Sequence, residues 1–143
     1  MKNYFEAKAK YVKVDETSGK EKKVTETYLV DAMSLTEMES RMVKELQQVV
    51  SGEFKVVSGK ESNICEIHHN ENGDRWFKAK VSFVDIDAIS GKEKKTNAYM
   101  LVEANNVDEA YSFLTECLSD MIVPFEIPSI SESKIIDVFQ YFE

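Results

Sequence analysis

The chain has 143 residues, of which 43% are hydrophobic and 31% charged, with a formal net charge of −8; this is the composition of an ordinary globular chain, long enough for one compact core. No apolar run approaches the roughly 18–20 residues that cross a bilayer, and the N-terminus enters an alternating pattern without a signal-peptide core, so a cytoplasmic location and no membrane partner are expected. The overall acidity disfavours non-specific duplex DNA binding, which needs a basic face to displace counterions.

Residues 4–14 alternate, with Phe5, Ala7, Ala9 and Tyr11 on one side of a strand. Ser18-Gly19-Lys20 supplies a turn in which Gly19 takes positive φ. Residues 22–32 return as a second strand that turns Val24, Tyr28 and Val30 inward. Ser34 reads as a helix N-cap with Glu37 as its capping-box partner. Leu35, Met38, Met42, Val43, Leu46 and Val50 then keep helical spacing on one apolar face. Gly52 stops the helix, and Phe54–Val57 and Ile64–His68 are two further short strands.

This pattern then repeats. A shift of 72 positions lays 4–46 on 76–118 with 17 of 43 residues identical, including Ser18-Gly19-Lys20-Glu21-Lys22-Lys23 on Ser90-Gly91-Lys92-Glu93-Lys94-Lys95. After one deletion, Phe54 meets Phe125 and Ile64-Cys65 meets Ile135-Ile136. In the second copy Asn106 is the helix cap, and Val107, Ala110, Tyr111, Leu114 and Leu118 form the helix face. Pro124 and Pro128 are expected to bracket a short edge strand, since proline cannot donate to a ladder. The chain is therefore a tandem duplication of a β-β-α-β-β unit, residues 1–72 and 73–143. The expected fold is α+β: two antiparallel sheets, each covered by one helix, pseudo-two-fold symmetric and packed together as one domain. Cys65 and Cys117 stand at non-equivalent places and are expected as reduced, buried thiols. The aromatic C-terminus, Phe139 to Phe142, is expected to dock on the sheet rather than to dangle as a partner peptide.

Charge distribution points to a candidate face. The two hairpins, residues 2–31 and 74–103, together carry +2, and the rest of the chain −10. With Phe5, Ala7 and Ala9 inward, alternation turns Tyr4, Lys8 and Lys10 outward, and Trp76, Lys78 and Lys80 in the second copy. Lys23 on one return strand and Lys95 and Tyr99 on the other join them. Lysines interleaved with aromatics are what single-stranded nucleic acid needs, because phosphates require neutralising and bases present π-faces. The plainer reading of the same lysines is a solubilised sheet face guarded against aggregation.

Other chemistry finds little support. Adjacent His68 and His69 point to opposite faces of a strand and cannot join Cys65 around one metal ion. Asp15 and Asp87 could serve as a base or cation ligand, but as repeated turn-flanking residues they read first as structural. No phosphate loop, nucleophile elbow or C-x-x-C motif is present, so no catalytic residue, metal or cofactor is expected.

The stretch from Tyr4-Phe5 through the lysine turn to Tyr28-Leu29-Val30, and Gly73-Asp74-Arg75-Trp76-Phe77-Lys78-Ala79-Lys80, resembles a small uncharacterised family of Bacteroidetes and their phages. That resemblance implies a bacterial or phage-host cytoplasm and carries over no catalytic residues. Read across the join of the copies, the order β-β-β-β-α also resembles the whirly, PC4-like and Pur-type single-strand-binding folds. The expectation is a non-enzymatic binding protein that contacts single-stranded nucleic acid. The alternative is an accessory or anti-defence protein that binds a host protein or sequesters a small anionic nucleotide; homo-oligomerisation stays open.

Overall fold

The structure, a computed structural model, describes residues 3–141. The elements in chain order are β1 (Asn3–Val14), β2 (Glu21–Ala32), α1 (Leu35–Val49), β3 (Phe54–Glu61), β4 (Ile64–His68), β5 (Arg75–Ile86), β6 (Glu93–Ala104), α2 (Val107–Cys117), β7 (Phe125–Glu132) and β8 (Ile135–Phe139). Two helices and eight strands in two four-stranded sheets make the fold α+β, with one helix against each sheet, as the repeat pattern predicts. The chain divides into two compact units. Unit 1 holds the residues up to Ser62 and those from Lys134 on; unit 2 runs from Asn63 to Ser133.

Unit 1 is built on the β1–β2 hairpin, paired antiparallel from Asn3↔Ala32 to Val14↔Glu21. Its six-residue turn is organised by Asp15, whose carboxylate accepts from the Thr17 amide (2.9 Å) and the Ser18 hydroxyl (3.1 Å). Gly19 closes the turn at φ 70° and donates its amide to the Asp15 carbonyl. The inward set of the alternation, Phe5, Ala7, Ala9, Tyr28, Val30 and Ala32, packs against Met38, Met42 and Leu46 of α1. Ser34 caps α1 by accepting from the Glu37 amide at 3.2 Å. Leu35, expected on the apolar face, sits at the start of the first turn and is exposed.

Unit 2 repeats this plan. Asp87 organises its turn through the amides of Ile89 and Ser90, and Gly91 closes it at φ 71°. Phe77, Ala79, Val81, Met100, Val102 and Ala104 face Ala110, Leu114 and Leu118. Asn106 caps α2 through the Glu109 amide, and Glu109 reaches back to the Asn105 amide. Three expectations are corrected here. Tyr111 is exposed, because the narrower α2 stripe buries only Ala110 and Leu114 within the helix. Pro128 lies inside β7 rather than ending it: the β5–β7 register slips between Lys80 and Ser82, and the proline sits in that bulge on an edge strand, where no ladder donor is needed. Cys65 and Cys117 are exposed, one on an edge strand and the other in the last helical turn.

The fourth strand of each sheet is the main departure from the sequence copies. The orders are β3-β1-β2-β8 and β4-β6-β5-β7. The last strand of each copy thus completes the sheet built from the other copy's hairpin. Both exchanged strands run parallel to their neighbour, Leu29↔Val138 and Val30↔Phe139 in unit 1, and Ile67↔Leu101 and His68↔Val102 in unit 2. The strands β3 to β6, which read as β-β-β-β-α in sequence, therefore do not form one sheet, because β3 pairs with β1.

The two helix–strand contacts are filled in complementary ways. In unit 1, Met38 covers Gly59, and a Cβ on Gly59 would run into the Met38 Cε. The equivalent positions in unit 2 are Ala110 and Ile130, both in that core. A large helix residue over glycine has become a small one under isoleucine. Gly59→Ile alone should cost about 1–3 kcal/mol through overpacking, and Met38→Ala alone about 2–5 kcal/mol through a cavity. The double substitution reproduces the unit 2 pair and should lose much less than the sum in urea unfolding; strict additivity would contradict this account.

Candidate functional site

The sheet face opposite α1 carries the lysines of unit 1. Lys8 lies between Thr27 on β2 and Ser58 on β3, and Lys10 between Thr25 and Lys55. Lys23 stands opposite Val12, one diagonal step from Lys10. Lys8, Lys10, Lys23 and Lys55 are all exposed, and among the described residues none of them is held in an ion pair. Lys10, Lys23 and Lys55 border a shallow groove of about 300 Å³ with Tyr11, Val12 and Phe54, and Glu53 stands at its rim. Lys55 joins the site only through the register of β3, so a reading confined to the hairpins misses it. Its place between inward Phe54 and Val56 was the available signal.

The same face of unit 2 is not equivalent. Lys78 turns its Nζ over the Tyr99 ring at 5.2 Å, a cation–π contact. Lys80 is half-buried opposite Tyr99 and Ser129. The counterpart of Lys10 is Ser82, a buried residue whose hydroxyl donates to the Asn97 Oδ1 at 2.7 Å. The counterpart of Lys55 is Glu126, which holds Lys95 at 3.7 Å. The cationic track of unit 1 is thus interrupted and partly neutralised in unit 2.

Tyr4 and Trp76 were expected to offer stacking faces, and the structure corrects this. Both lie on the side opposite the helix, as alternation requires, but each is only 6% exposed. Leu29 and Leu101 on the neighbouring strands are fully buried, so this end of each face is closed. Each ring also meets the residue that follows the exchanged strand. Gln140 donates to the Tyr4 hydroxyl at 3.4 Å, and His69 packs edge-on to Trp76 at 5.4 Å. The site is a charged track without an open aromatic platform.

A polar clasp next to these rings was not expected from sequence. Asp31, fully buried, accepts from the Arg41 guanidinium (3.1 Å) and from the Tyr141 amide (2.8 Å). Arg41 also pairs with Glu37 at 2.6 Å and lies over the Tyr141 ring at 4.5 Å. Burial, reinforced by a hydrogen bond to Glu45, pushes the Tyr141 phenol up to about 12. In unit 2, Glu103 plays the part of Asp31 and accepts from the Asn70 amide at 3.0 Å. The C-terminus docks as expected up to Tyr141; Phe142 lies outside the described residues.

Asp15 and Asp87 are bound up in the two turns. Backbone amides hold the carboxyls of Asp15 and Asp87 below the usual range, Thr17 and Ile89 contributing most respectively. Although both cysteines are exposed, partial desolvation of the sulfur, then Glu66 beside Cys65 and Glu116 beside Cys117, pushes both thiols up. His68 lies against Glu66 at 3.3 Å, and among the described residues no cluster of three His, Cys, Asp or Glu side chains could hold a metal ion.

A family model described as Domain of unknown function (DUF4494) matches residues 3–141. No curated protein and no solved structure matches the chain. Trp76 is the single tryptophan, so its burial is directly observable. Its emission should be blue-shifted, resist acrylamide quenching relative to the unfolded chain, and stay unchanged when an oligonucleotide is added. Quenching as strong as in denaturant would contradict the closed face.

Proposed function

We propose a non-enzymatic, single-strand-binding function for this chain, which belongs to the DUF4494 family: the lysine track of unit 1 holds the phosphates of a single-stranded nucleic acid. The observation that carries the reading is the placement of Lys8, Lys10, Lys23 and Lys55 on one sheet face without a pairing carboxylate among the described residues. In a protein with a net charge of −8, such a cluster concentrates the local positive potential that an anionic backbone needs. Lys78, Lys80 and Lys95 contribute less, because an aromatic ring, partial burial and Glu126 already engage them. With Tyr4 and Trp76 enclosed, binding rests on phosphate contacts and is largely independent of sequence. A bacterial or phage-infected cytoplasm is the setting this reading assumes.

Fluorescence anisotropy with labelled oligo-dT at varied salt tests it. Each phosphate neutralised contributes about −0.7 to the slope of log K against log salt for a single strand. Replacing Lys8, Lys10, Lys23 and Lys55 by Ala one at a time should flatten the slope by roughly that amount per residue. Replacing Lys78 or Lys95 should change it little. Absence of binding at low salt, or equal losses in both units, would overturn the proposal.

A further inference from the structure

The hairpin end of unit 2 occupies the same place in its fold as the lysine groove of unit 1 but has the opposite chemistry. There the backbone between α2 and β7 runs beside the end of β5, where the Val84 amide donates to the Pro124 carbonyl at 2.9 Å. The groove enclosed is about 650 Å³ and is lined by Ile86, Ile122 and Val123, with Asp85, Glu93 and Glu126 around it. Ile122 is 99% exposed and Ile86 65%. Ile89, in the adjoining turn, is 98% exposed.

The contrast with the first copy is specific. Where unit 2 has Ile122, Val123 and Ile89, the equivalent residues of unit 1 are Ser51, Gly52 and Thr17. Where unit 1 has Lys10 and Lys55, unit 2 has Ser82 and Glu126. The single lysine of the groove, Lys95, is held by Glu126, so the free charge on the rim is negative. Isolated apolar residues on a surface need no explanation, but a contiguous apolar groove rimmed by polar groups is the form of an interaction site.

We infer that this groove docks a basic amphipathic segment of a partner protein, its apolar residues on Ile86, Ile122 and Val123 and its lysines or arginines against Asp85, Glu93 and Glu126. The acidic rim selects this occupant. It repels nucleic acid and anionic lipid, and it repels the same groove of a second copy, whereas a cationic segment with one apolar face matches both features.

The test uses the full-length protein labelled at isoleucine methyl groups, titrated with a synthetic helical Lys/Leu peptide of about 14 residues, the length that gives a continuous apolar face. The expected result is a salt-sensitive shift of the Ile86, Ile89 and Ile122 methyl signals. Ile122→Ser with Ile86→Ser, and separately Glu93→Lys with Glu126→Lys, should each weaken binding by about tenfold or more. These side chains are outside the buried core, so folding is preserved, and circular dichroism checks it. A Lys/Ser peptide of equal charge should bind far more weakly. Equal binding of that peptide, shifts confined to other isoleucines, or unaltered affinity in the variants would overturn the assignment. So would self-association in light scattering that Ile122→Ser abolishes, because the occupant would then be a second copy.

Discussion

The fold depends on how the long hairpins are closed at their β2 and β6 edges. Each hairpin, built of two twelve-residue strands, leaves a row of amides and carbonyls along each outer side, which must be paired with another strand or left to water. One side of each hairpin is met by the strand after its helix, β3 or β7, with a bulge that bends it onto the sheet. The other side is met by β8 in unit 1 and β4 in unit 2, each running parallel to the return strand. The exchanged strand also brings the core its last aromatic in unit 1, where Phe139 stacks on Tyr28 at 5.1 Å. Exclusion of water there, with Glu26 and Asp137 nearby, pushes the Tyr28 phenol up to about 12. Where β8 ends, Asp31 fastens the backbone through the Tyr141 amide, and Glu103 does the same for the Asn70 amide after β4.

This closure explains which surfaces are left for function. At the end of each hairpin nearest the helix cap, Tyr4 and Trp76 are buried together with Leu29 and Leu101. The far end, toward the Ser-Gly-Lys turn, extends beyond the exchanged strand and stays exposed. There the duplicated scaffold presents a lysine-lined groove in unit 1 and an acidic, isoleucine-lined groove in unit 2. Duplication preserves the turn, where Asp and Gly are set by backbone geometry. It leaves side chains on the exposed end free to diverge, and there they have diverged in charge sign.

Much of this architecture is legible in the residues. Alternation around Phe5, Ala7 and Ala9 gives the inward face, Ser34 and Asn106 give the helix starts, and the repeated hexapeptide gives the turns. The sheet partner of Ile64–His68 is not legible, because a five-residue apolar strand satisfies either hairpin edge equally well and nothing local chooses between them. The burial of Tyr4 and Trp76 was hidden for a related reason: alternation assigns a face but not whether that face is covered. Lys55 was missed because its companions are set by cross-strand register. The Met38/Gly59 and Ala110/Ile130 exchange was visible as two unremarkable differences between copies, and only their contact in space makes them one compensated change.

Hydrogen–deuterium exchange on the chain truncated after Ser133 tests the exchange of strands most directly. That truncation removes β8 and leaves every strand of unit 2 in place. The account predicts that amides of β1 and β2 lose protection while those of β5 and β6 keep theirs. Loss of protection in β5 and β6, with β1 and β2 unaffected, would show that each sequence copy closes its own sheet and would contradict it.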